Sequence, residues 1–567
     1  MGPFVLIDGA RSGAPARLFR NPEAIVRADR PEDVAPALER LRGERRHAAG
    51  FLAYEAGYAL EPRLTPLFRQ PDPPLLWFGL FDRFEEVDAE TWLPDPAGGW
   101  AGEPRPLVAR DDYLRRLARV QDAIVAGDIY QANLTFPTEV SVAGDPRAIF
   151  AGLRRRACAR HGALVRTGED WFLSLSPELF FTMKDGVVTT RPMKGTAAPD
   201  ADPERLRSDP KQRAENLMIV DLLRNDLSRV AMPGSVEVPE LFTVERYPTV
   251  QQMVSTVTAR LAPGRDAVDV LKALFPCGSI TGAPKLRAME IIAETETAPR
   301  GLYTGAIGQI NPDGEACFNV AIRTLHLKPG CTRATLGLGS GIVADSDPDA
   351  EWRECLAKGA FVGSERPFDL IETMAFDPHQ GLLYLDAHMA RMKASAHALG
   401  FSFDRHAARN ELQAATFRLR EPGRIRLLAS RNGNYAIEVR RLGETAEPVE
   451  VAIAPRPVES DDFRLMHKTT DRAFYDDARG KAGCFEVIFT DPAGFLTEGS
   501  FTSIFVERDG TLLTPPLSRG LLPGILRAEL LEQGRAIEAD LRPEDLAHGF
   551  CIGNAVRGLL RARLRRL

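Results

Sequence analysis

The chain has 567 residues, 44% of them hydrophobic and 26% charged, the balance of a folded protein of two to four domains, which excludes a wholly disordered chain. Its 72 Lys and Arg against 78 Asp and Glu leave a net charge of −6, which gives no electrostatic footprint for wrapping nucleic acid. Seven scattered cysteines with no Cys-x-x-Cys pair, no cationic leader and no run of eighteen apolar residues argue against a disulfide framework, export or membrane insertion, and lead us to expect a cytoplasmic protein.

Residues 1–88 mix short apolar strands with turns, and the small-residue run Gly50 to Tyr58 reads as a buried strand or tight bend. A Pro/Gly-rich loop from Pro94 to Pro106 precedes a helix over 111–127, with Leu114, Leu117, Ile124 and Val125 on one side and Gly127 as its terminator. A strand is expected over 129–136, and further strands at 180–183, 187–190 and 305–310 interleave with helices at 213–230 and 284–292. Composition shifts again at Gly363 to Pro367, where we place the boundary before a new series opening with Phe368 to Met374. The basic tail Arg557 to Arg566 reads as a solvated terminal helix, and no short-period repeat is present.

On the helix carrying Glu215, that acid shares a face with Met218, Ile219 and Leu222, so a carboxylate points to the core side and needs a cation. Asp347-Pro348 has the form of an N-cap followed by proline, opening a helix with Glu351 and Glu354 on one face. Those two acids alone read as solvated or paired with Lys358, but together with Glu215 they supply hard oxygen ligands of the kind that suit Mg²⁺. Lys194 follows a strand and precedes Gly195, which lets it project from the strand end into a cleft, although most such lysines are solvated. The glycine-rich loop Pro276 to Lys285 runs into a helix start without Walker spacing, and Gly337, Gly339 and Gly341 allow either close ligand approach or a tight bend.

The strings Gly127 to Thr135, Ser176 to Leu179, Arg191 to Thr196, Arg213 to Asp226, Gly278 to Lys285, Phe318 to Thr324 and Gly339 to Asp347 resemble the chorismate-utilising enzymes, and within them the aminodeoxychorismate synthase component I group. The resemblance covers residues 1–362, divided as a 1–105 N-terminal region and a 106–362 catalytic core, and implies antiparallel sheets flanked by helices. It implies that Glu215, Glu351 and Glu354 serve Mg²⁺, that Arg323, Tyr303 and Gly341 hold the enolpyruvyl carboxylate of chorismate, and that Thr281 touches the substrate. Lys194 matches a covalent nucleophile where anthranilate synthases have alanine, and Glu178 the general acid for the departing 4-hydroxyl. Gln131 stands where isochorismate-forming relatives have a water-activating lysine. Two departures are Gln212, often acidic in relatives, and Val250-Gln251-Gln252, where histidine is common; the latter argues against pyruvate elimination in this domain. No glutaminase elbow is present, so ammonia is expected from a separate glutamine amidotransferase subunit.

Downstream, His467-Lys468-Thr469-Thr470, Gly494 to Ser500 with Glu498, the strand Ile504 to Val506 and Leu521 to Arg527 are each ordinary alone. In this order they resemble the class IV pyridoxal-phosphate fold of branched-chain aminotransferases and aminodeoxychorismate lyases, over residues 366–567. The resemblance implies an α+β architecture overall, with two subdomains in this part. It makes Lys468 the Schiff-base lysine, Glu498 the acid at the pyridinium nitrogen and Arg391 the phosphate arginine. Ile525 and Leu526 supply phosphate N–H contacts, with Asn554 and Ala555 as further candidates, and class IV folds commonly form homodimers. The combined expectation is synthesis of 4-aminobenzoate from chorismate and ammonia in folate precursor formation, with Mg²⁺ and pyridoxal phosphate. The alternatives are a transaminase or a non-catalytic scaffold in the second half, or an anthranilate synthase in the first.

Overall fold

The protein was analysed as a computed structural model, which describes residues 2–9, 15–197, 200–246, 251–363 and 367–565. Val250 and residues 364–366, in the expected boundary, lie outside the described residues. Two compact units result: Met1–Pro94 with Glu103–Val140 and Phe150–Gly363, and Asp95–Gly102 with Ser141–Ile149 and Ser364–Leu567. Two short segments of the N-terminal half thus belong to the C-terminal unit. Among the described residues no helix is long and apolar enough to cross a membrane.

Two sheets build the first unit. One runs in space through Gly282–Ala283, Gln131–Gly144, Arg333–Ile342, Thr324–Leu327, Trp171–Ser176, His161–Arg166, Phe4–Asp8, Ala16–Arg20 and Glu85–Val87. The other runs through Met193–Ala197, Gln251–Arg260, Val187–Arg191, Leu179–Lys184, Ala316–Val320, Ala306–Ile310, His47–Leu52, Leu76–Phe81 and Ala24–Ala28. The strand Leu76–Phe81 is buried throughout, which explains why its sequence lacks polar alternation. Trp77 and Phe81 join Val5, Phe51 and Phe172 in a core drawn from both sheets. Leu76, Phe78 and Leu80 face a second core with Val34, Leu38 and Leu41. Those three residues lie on the helix Pro31–Leu41, which has proline in its first turn, Glu32 and Asp33 at its positive end and Arg40 at its negative end. Each such aliphatic side chain contributes about 1.5–3 kcal/mol by burial.

Three sequence expectations are revised here. The helix Arg110–Val125 buries Tyr113, Leu117 and Val120, while Val125 is 84% exposed, because the apolar stripe runs along a different line of the helix. On Pro210–Ser228 the buried stripe is Asn216, Ile219, Val220, Leu223, Asp226 and Leu227, so Glu215 flanks the core instead of facing it. The basic tail is a strand, Gly558–Leu564, paired with Val449–Pro455 and Phe550–Asn554. Its leucine and arginine alternation has period two: Leu560 is buried, Ala562 and Leu564 pack on the core, and Arg561 and Arg563 are exposed.

The second unit has two sheets. Gly381–Leu382, Leu370–Asp377, Gly423–Ala429 and Tyr435–Arg441 form the smaller, and the helices Leu385–Leu399 and Arg405–Thr416 share its core through Met389, Met392, Ala408 and Leu412. Trp100, from the segment Asp95–Gly102, meets Phe368 edge-on in that core. The larger sheet runs through Leu496–Gly499, Glu486–Thr490, Val449–Pro455, Gly558–Leu564, Phe550–Asn554, Ser503–Arg508, Thr511–Thr514 and Ala536–Glu538.

Candidate active sites

In the first unit, Lys194 lies on the strand Met193–Ala197, and Gly195 beside it has φ +91°, a conformation natural to glycine. A Cβ on Gly341 would stand 3.4 Å from Lys194 Nζ and 2.3 Å from Gln131 Nε2. A side chain there would push the Gln131 amide aside, and the structure brings Lys194, Gln131 and Gly341 together. Gln131 is buried, and its Oε1 has no hydrogen-bond partner. Burial and then Lys358 push the Lys194 ammonium down, against the pull of Glu178, Glu215 and Glu354.

Glu178 is buried at the end of a short loop after the strand Trp171–Ser176. That loop is pinned because Ser176 Oγ donates to Val320 O at 2.6 Å and Val320 N donates to Glu178 O at 3.1 Å. Ser279 Oγ donates to Glu178 Oε1 at 2.6 Å. Burial raises the Glu178 carboxyl, opposed by Ser279, Lys194 and Lys358. A lysine pushed toward its neutral form and an acid pushed toward its protonated form therefore share one neighbourhood.

The other expected residues are arranged less tightly. Thr281 is fully buried and donates its hydroxyl to Cys277 O at 3.0 Å, within its own turn. Tyr303 lies across Gly337, where a Cβ would come within 2.1 Å of the ring, and lines a cavity of about 160 Å³ with Thr135, Phe136 and Arg300. Arg323 has φ +51° and sits over the Phe361 ring at 6.0 Å.

Glu215, Glu351 and Glu354 form one electrostatic group. Burial raises Glu215, Lys194 and Lys211 lower it, and Glu351 and Glu354 raise it further. This mutual repulsion of carboxylates is the demand a divalent cation answers, and the donor chemistry fits Mg²⁺. The side chains are nevertheless held elsewhere: Glu351 accepts from Ser346 Oγ at 2.7 Å, and Glu354 pairs with Lys358 at 2.8 Å. Among the described residues no three His, Cys, Asp or Glu side chains converge as a ligand set. The expected metal residues are present in charge but not gathered, and Glu354 must leave Lys358 for them to close.

The second unit holds a cavity of about 400 Å³ lined by Lys468, Glu498, Arg391, Ile525, Leu526, Asn554 and Ala555 among others. All the residues expected from the sequence thus meet in one place. Lys468 is positioned by its backbone, since Ile371 N donates to Lys468 O at 2.9 Å and Thr470 N to Asp369 O at 2.9 Å. Burial and then Arg391 push its ammonium down to about 7, with Arg472 and Arg426 acting in the same direction against Glu372.

Glu498 accepts from Tyr475 Oη and from Leu522 N at 3.1 Å, and burial raises its carboxyl to about 7. Arg391 donates in a fork to Glu372, at 2.8 and 2.7 Å, and to Pro523 O at 2.8 Å. The helix Ile525–Glu532 begins at the cavity wall without a side-chain cap, leaving its first N–H groups for an anion. A desolvated amine, a buried acid and an anion cradle in one cavity fit pyridoxal phosphate.

Two family models match, and the first also spans the segments 95–102 and 141–149 of the second unit. The one described as chorismate binding enzyme matches residues 6–363, and the one described as amino-transferase class IV matches residues 369–564. The chain belongs to the chorismate-binding enzymes. To that fold it adds a class IV segment. Aminodeoxychorismate synthase component 1 of Klebsiella aerogenes is 46% identical over 261 residues, covering 45% of this chain and 57% of that protein. Anthranilate synthase component 1 of Streptomyces coelicolor is 38% identical over 314 residues, covering 54% and 59%. The chain therefore spans somewhat over half the length of these relatives. Among solved structures, anthranilate synthase component I of Streptococcus pneumoniae is similar with a TM-score of 0.54 and 27% identity, over 62% of this chain and 92% of that one.

Sequence reasoning on this chorismate-binding enzyme missed several supporting groups. Ser279 was visible only as part of a glycine-rich loop. Glu372 and His388, joined at 2.6 Å behind Arg391, gave no sequence signal beyond their residue types. Glu486 is fully buried and accepts from Val487 N, Ser500 N, Phe501 N and the hydroxyls of Ser500 and Thr502. It fixes the turn 499–502 that lines the cavity. An isolated glutamate at a strand start carries no such message in sequence.

Proposed function

We propose that the first unit aminates chorismate to 4-amino-4-deoxychorismate and that the second eliminates pyruvate from that product to give 4-aminobenzoate. The observation that carries the first step is the grouping of Lys194 with Gln131 against Gly341, with the buried acid Glu178 in the same electrostatic field. A lowered lysine pKa favours the neutral nucleophile, and a raised glutamate pKa favours the proton donor.

In this reading the Lys194 amine attacks C2 of chorismate, the ring double bonds shift and the C4–O bond breaks. Glu178 gives its proton to the departing hydroxyl, so water leaves. Ammonia then bonds at C4, the double bonds shift back and the C2–N bond to Lys194 breaks; the ammonia nitrogen loses a proton and Glu178 is reprotonated. Gln131 would accept a hydrogen bond from the incoming ammonia through its buried, unpartnered Oε1. Arg323, Tyr303 and the Gly341 backbone would hold the enolpyruvyl carboxylate, with Thr281 against the substrate. Glu215 and Glu354 would hold Mg²⁺ directly and Glu351 through water, and the ion would neutralise the ring carboxylate. A separate glutamine amidotransferase would supply ammonia, in keeping with the component 1 designation of the relatives.

In the second unit, bound pyridoxal phosphate would supply an electron sink at the amine-bearing carbon. Lys468 would hold the cofactor covalently and afterwards carry the proton from C4. Glu498 would keep a proton at the pyridine nitrogen, and Arg391 with the N–H groups of Ile525 and Leu526 would bind the phosphate. Loss of pyruvate leaves an aromatic ring, which makes the step irreversible.

Chromatography of products from chorismate, ammonium, Mg²⁺ and pyridoxal phosphate tests both steps. Formation of 4-aminobenzoate and pyruvate is expected. Accumulated aminodeoxychorismate would refute the lyase role, and anthranilate would refute the role of Lys194.

A further inference from the structure

The cavity of the second unit carries more positive charge than a cofactor phosphate requires. Seven arginines and Lys468 line it, against Asp476 and Glu498. Three of those arginines are answered by acids: Arg391 by Glu372 at 2.7 Å, Arg464 by Asp462 at 2.6 Å and Arg479 by Asp476 at 2.7 Å. Arg424, Arg426, Arg472 and Arg557 have no acidic partner within ion-pair distance among the described residues. Arg472 donates to Ser500 O at 2.5 Å and lies over the Tyr475 ring.

Arg424 and Arg426 are two positions apart on the strand Gly423–Ala429 and share one face. Their cross-strand neighbours are Arg440 and Glu438, and Glu438 gives its carboxylate to Arg440. Arg557 is set by the turn after Asn554, whose Oδ1 accepts from Val556 N and Arg557 N at 3.0 Å each. The Nε atoms of Arg426 and Arg557 are buried with no hydrogen-bond acceptor. Arg424 and Arg557 both line the cavity, and burial and then Arg424 lower the Arg557 guanidinium from its ordinary value against the pull of Glu486. Buried donors without acceptors and opposed cations both cost free energy that a bound anion recovers.

We propose that Arg424 and Arg557 form a carboxylate subsite separate from the phosphate cradle at Arg391, and that the cavity is built for an amine carrying two carboxylates. The inference rests on the reading of this unit as a pyridoxal-phosphate enzyme and specifies its substrate class. The seven arginines and the three acids that answer them leave four positive charges over the cavity as a whole, which a phosphate of about two negative charges and two carboxylates balance, whereas a monocarboxylic amino acid leaves one unbalanced. 4-Amino-4-deoxychorismate has the required two carboxylates, which favours the lyase role over a branched-chain transaminase.

The test titrates the cofactor-loaded chain with 3-(carboxymethoxy)benzoate and with 3-methoxybenzoate, two unreactive ring acids differing by one carboxylate. The shift of the cofactor absorption band is followed, because it reports this cavity alone. The dicarboxylate is expected to bind about ten- to a hundredfold more tightly, the value of one charged hydrogen-bond pair. In the double variant Arg424→Gln, Arg557→Gln this advantage is expected to vanish while pyridoxal phosphate affinity stays unchanged, which also shows that the variant is folded. Equal binding of the two acids by the unmodified chain, or an advantage that survives in the variant, overturns the proposal. Loss of cofactor affinity instead assigns these arginines to the phosphate and also overturns it. A dicarboxylate preference without pyruvate release from aminodeoxychorismate upholds the subsite and refutes the lyase reading alone.

Discussion

Lys468 offers a direct test of how the second cavity works. Its ammonium is pushed from 10.5 down to about 7 by burial and by Arg391, Arg472 and Arg426, with Glu372 acting the other way. At pH 7.5 about three quarters of such an amine is free, against about one part in a thousand for an ordinary lysine, a several-hundredfold gain in reactive form. Lower basicity gives back part of this gain, because a weaker base is a weaker nucleophile. The assay is rapid mixing of the cofactor-stripped chain with pyridoxal phosphate, following the absorbance change on covalent capture as a function of pH. The rate should rise through a midpoint near 7, and Arg426→Gln should move that midpoint upward by removing one repelling charge. A midpoint above about 9 would refute the reasoning, as would a downward shift in the variant. The stability of the stripped chain carries the same signature. At this group the folded state binds fewer protons than the unfolded state between about 7 and 10.5, so Lys468 contributes stability that rises with pH across that window, and the slope should fall by about one proton in Lys468→Met.

Three further outcomes are expected. Ser279→Ala removes the hydrogen bond that favours the Glu178 carboxylate, so the acid holds its proton to higher pH and the alkaline limb of the amination pH profile should move up; an unchanged limb means that Glu178 is not the titrating donor. Glu486→Gln puts an amide donor in place of one carboxylate oxygen, against one or two of the backbone N–H groups that it accepts from, and should cost about 2–4 kcal/mol, read from the denaturant midpoint, with weakened cofactor binding. Lys358→Met frees Glu354 from an exposed pair of about 0.2–1 kcal/mol and should tighten Mg²⁺ binding up to about fivefold in a calorimetric titration. Weaker binding there would show that Lys358 supports the metal site.

The candidate site residues could be picked out of the sequence where a motif fixes local geometry. Lys194 stands before a glycine with positive φ, Glu178 lies in the short loop after the strand Trp171–Ser176, and Lys468 lies between a strand pairing and a tyrosine-bearing helix. Faces were harder to read. On Pro210–Ser228 one helical register separates a core-facing acid from a flanking one, and the alternative stripe contains Asn216 and Asp226, which polarity arguments discard. Asn216 is fully buried because it accepts from Ser255 Oγ at 2.6 Å, a long-range partner that no local window contains. The terminal strand was hidden by arginines, whose count suggested a solvated helix while their spacing had the period of a strand. Glu372, Glu486 and Ser279 act through residues distant in sequence, so only the folded chain reveals them.

Both sites solve the same physical problem by different means. In the proposed reading each uses a neutral amine, and in each burial is the first cause that lowers the lysine. In the first unit the neighbouring acids Glu178, Glu215 and Glu354 oppose that shift, so neutralising Glu215 and Glu354 with a cation would also lower the Lys194 pKa further. Mg²⁺ would then do more than bind a substrate carboxylate: it would remove the charges that keep the nucleophile protonated. In the second unit the surrounding charges are already cationic, so the lysine is lowered before any ligand arrives and the same arginines await anions. The amine of the first site is thus tuned by what binds, and that of the second by what is built in.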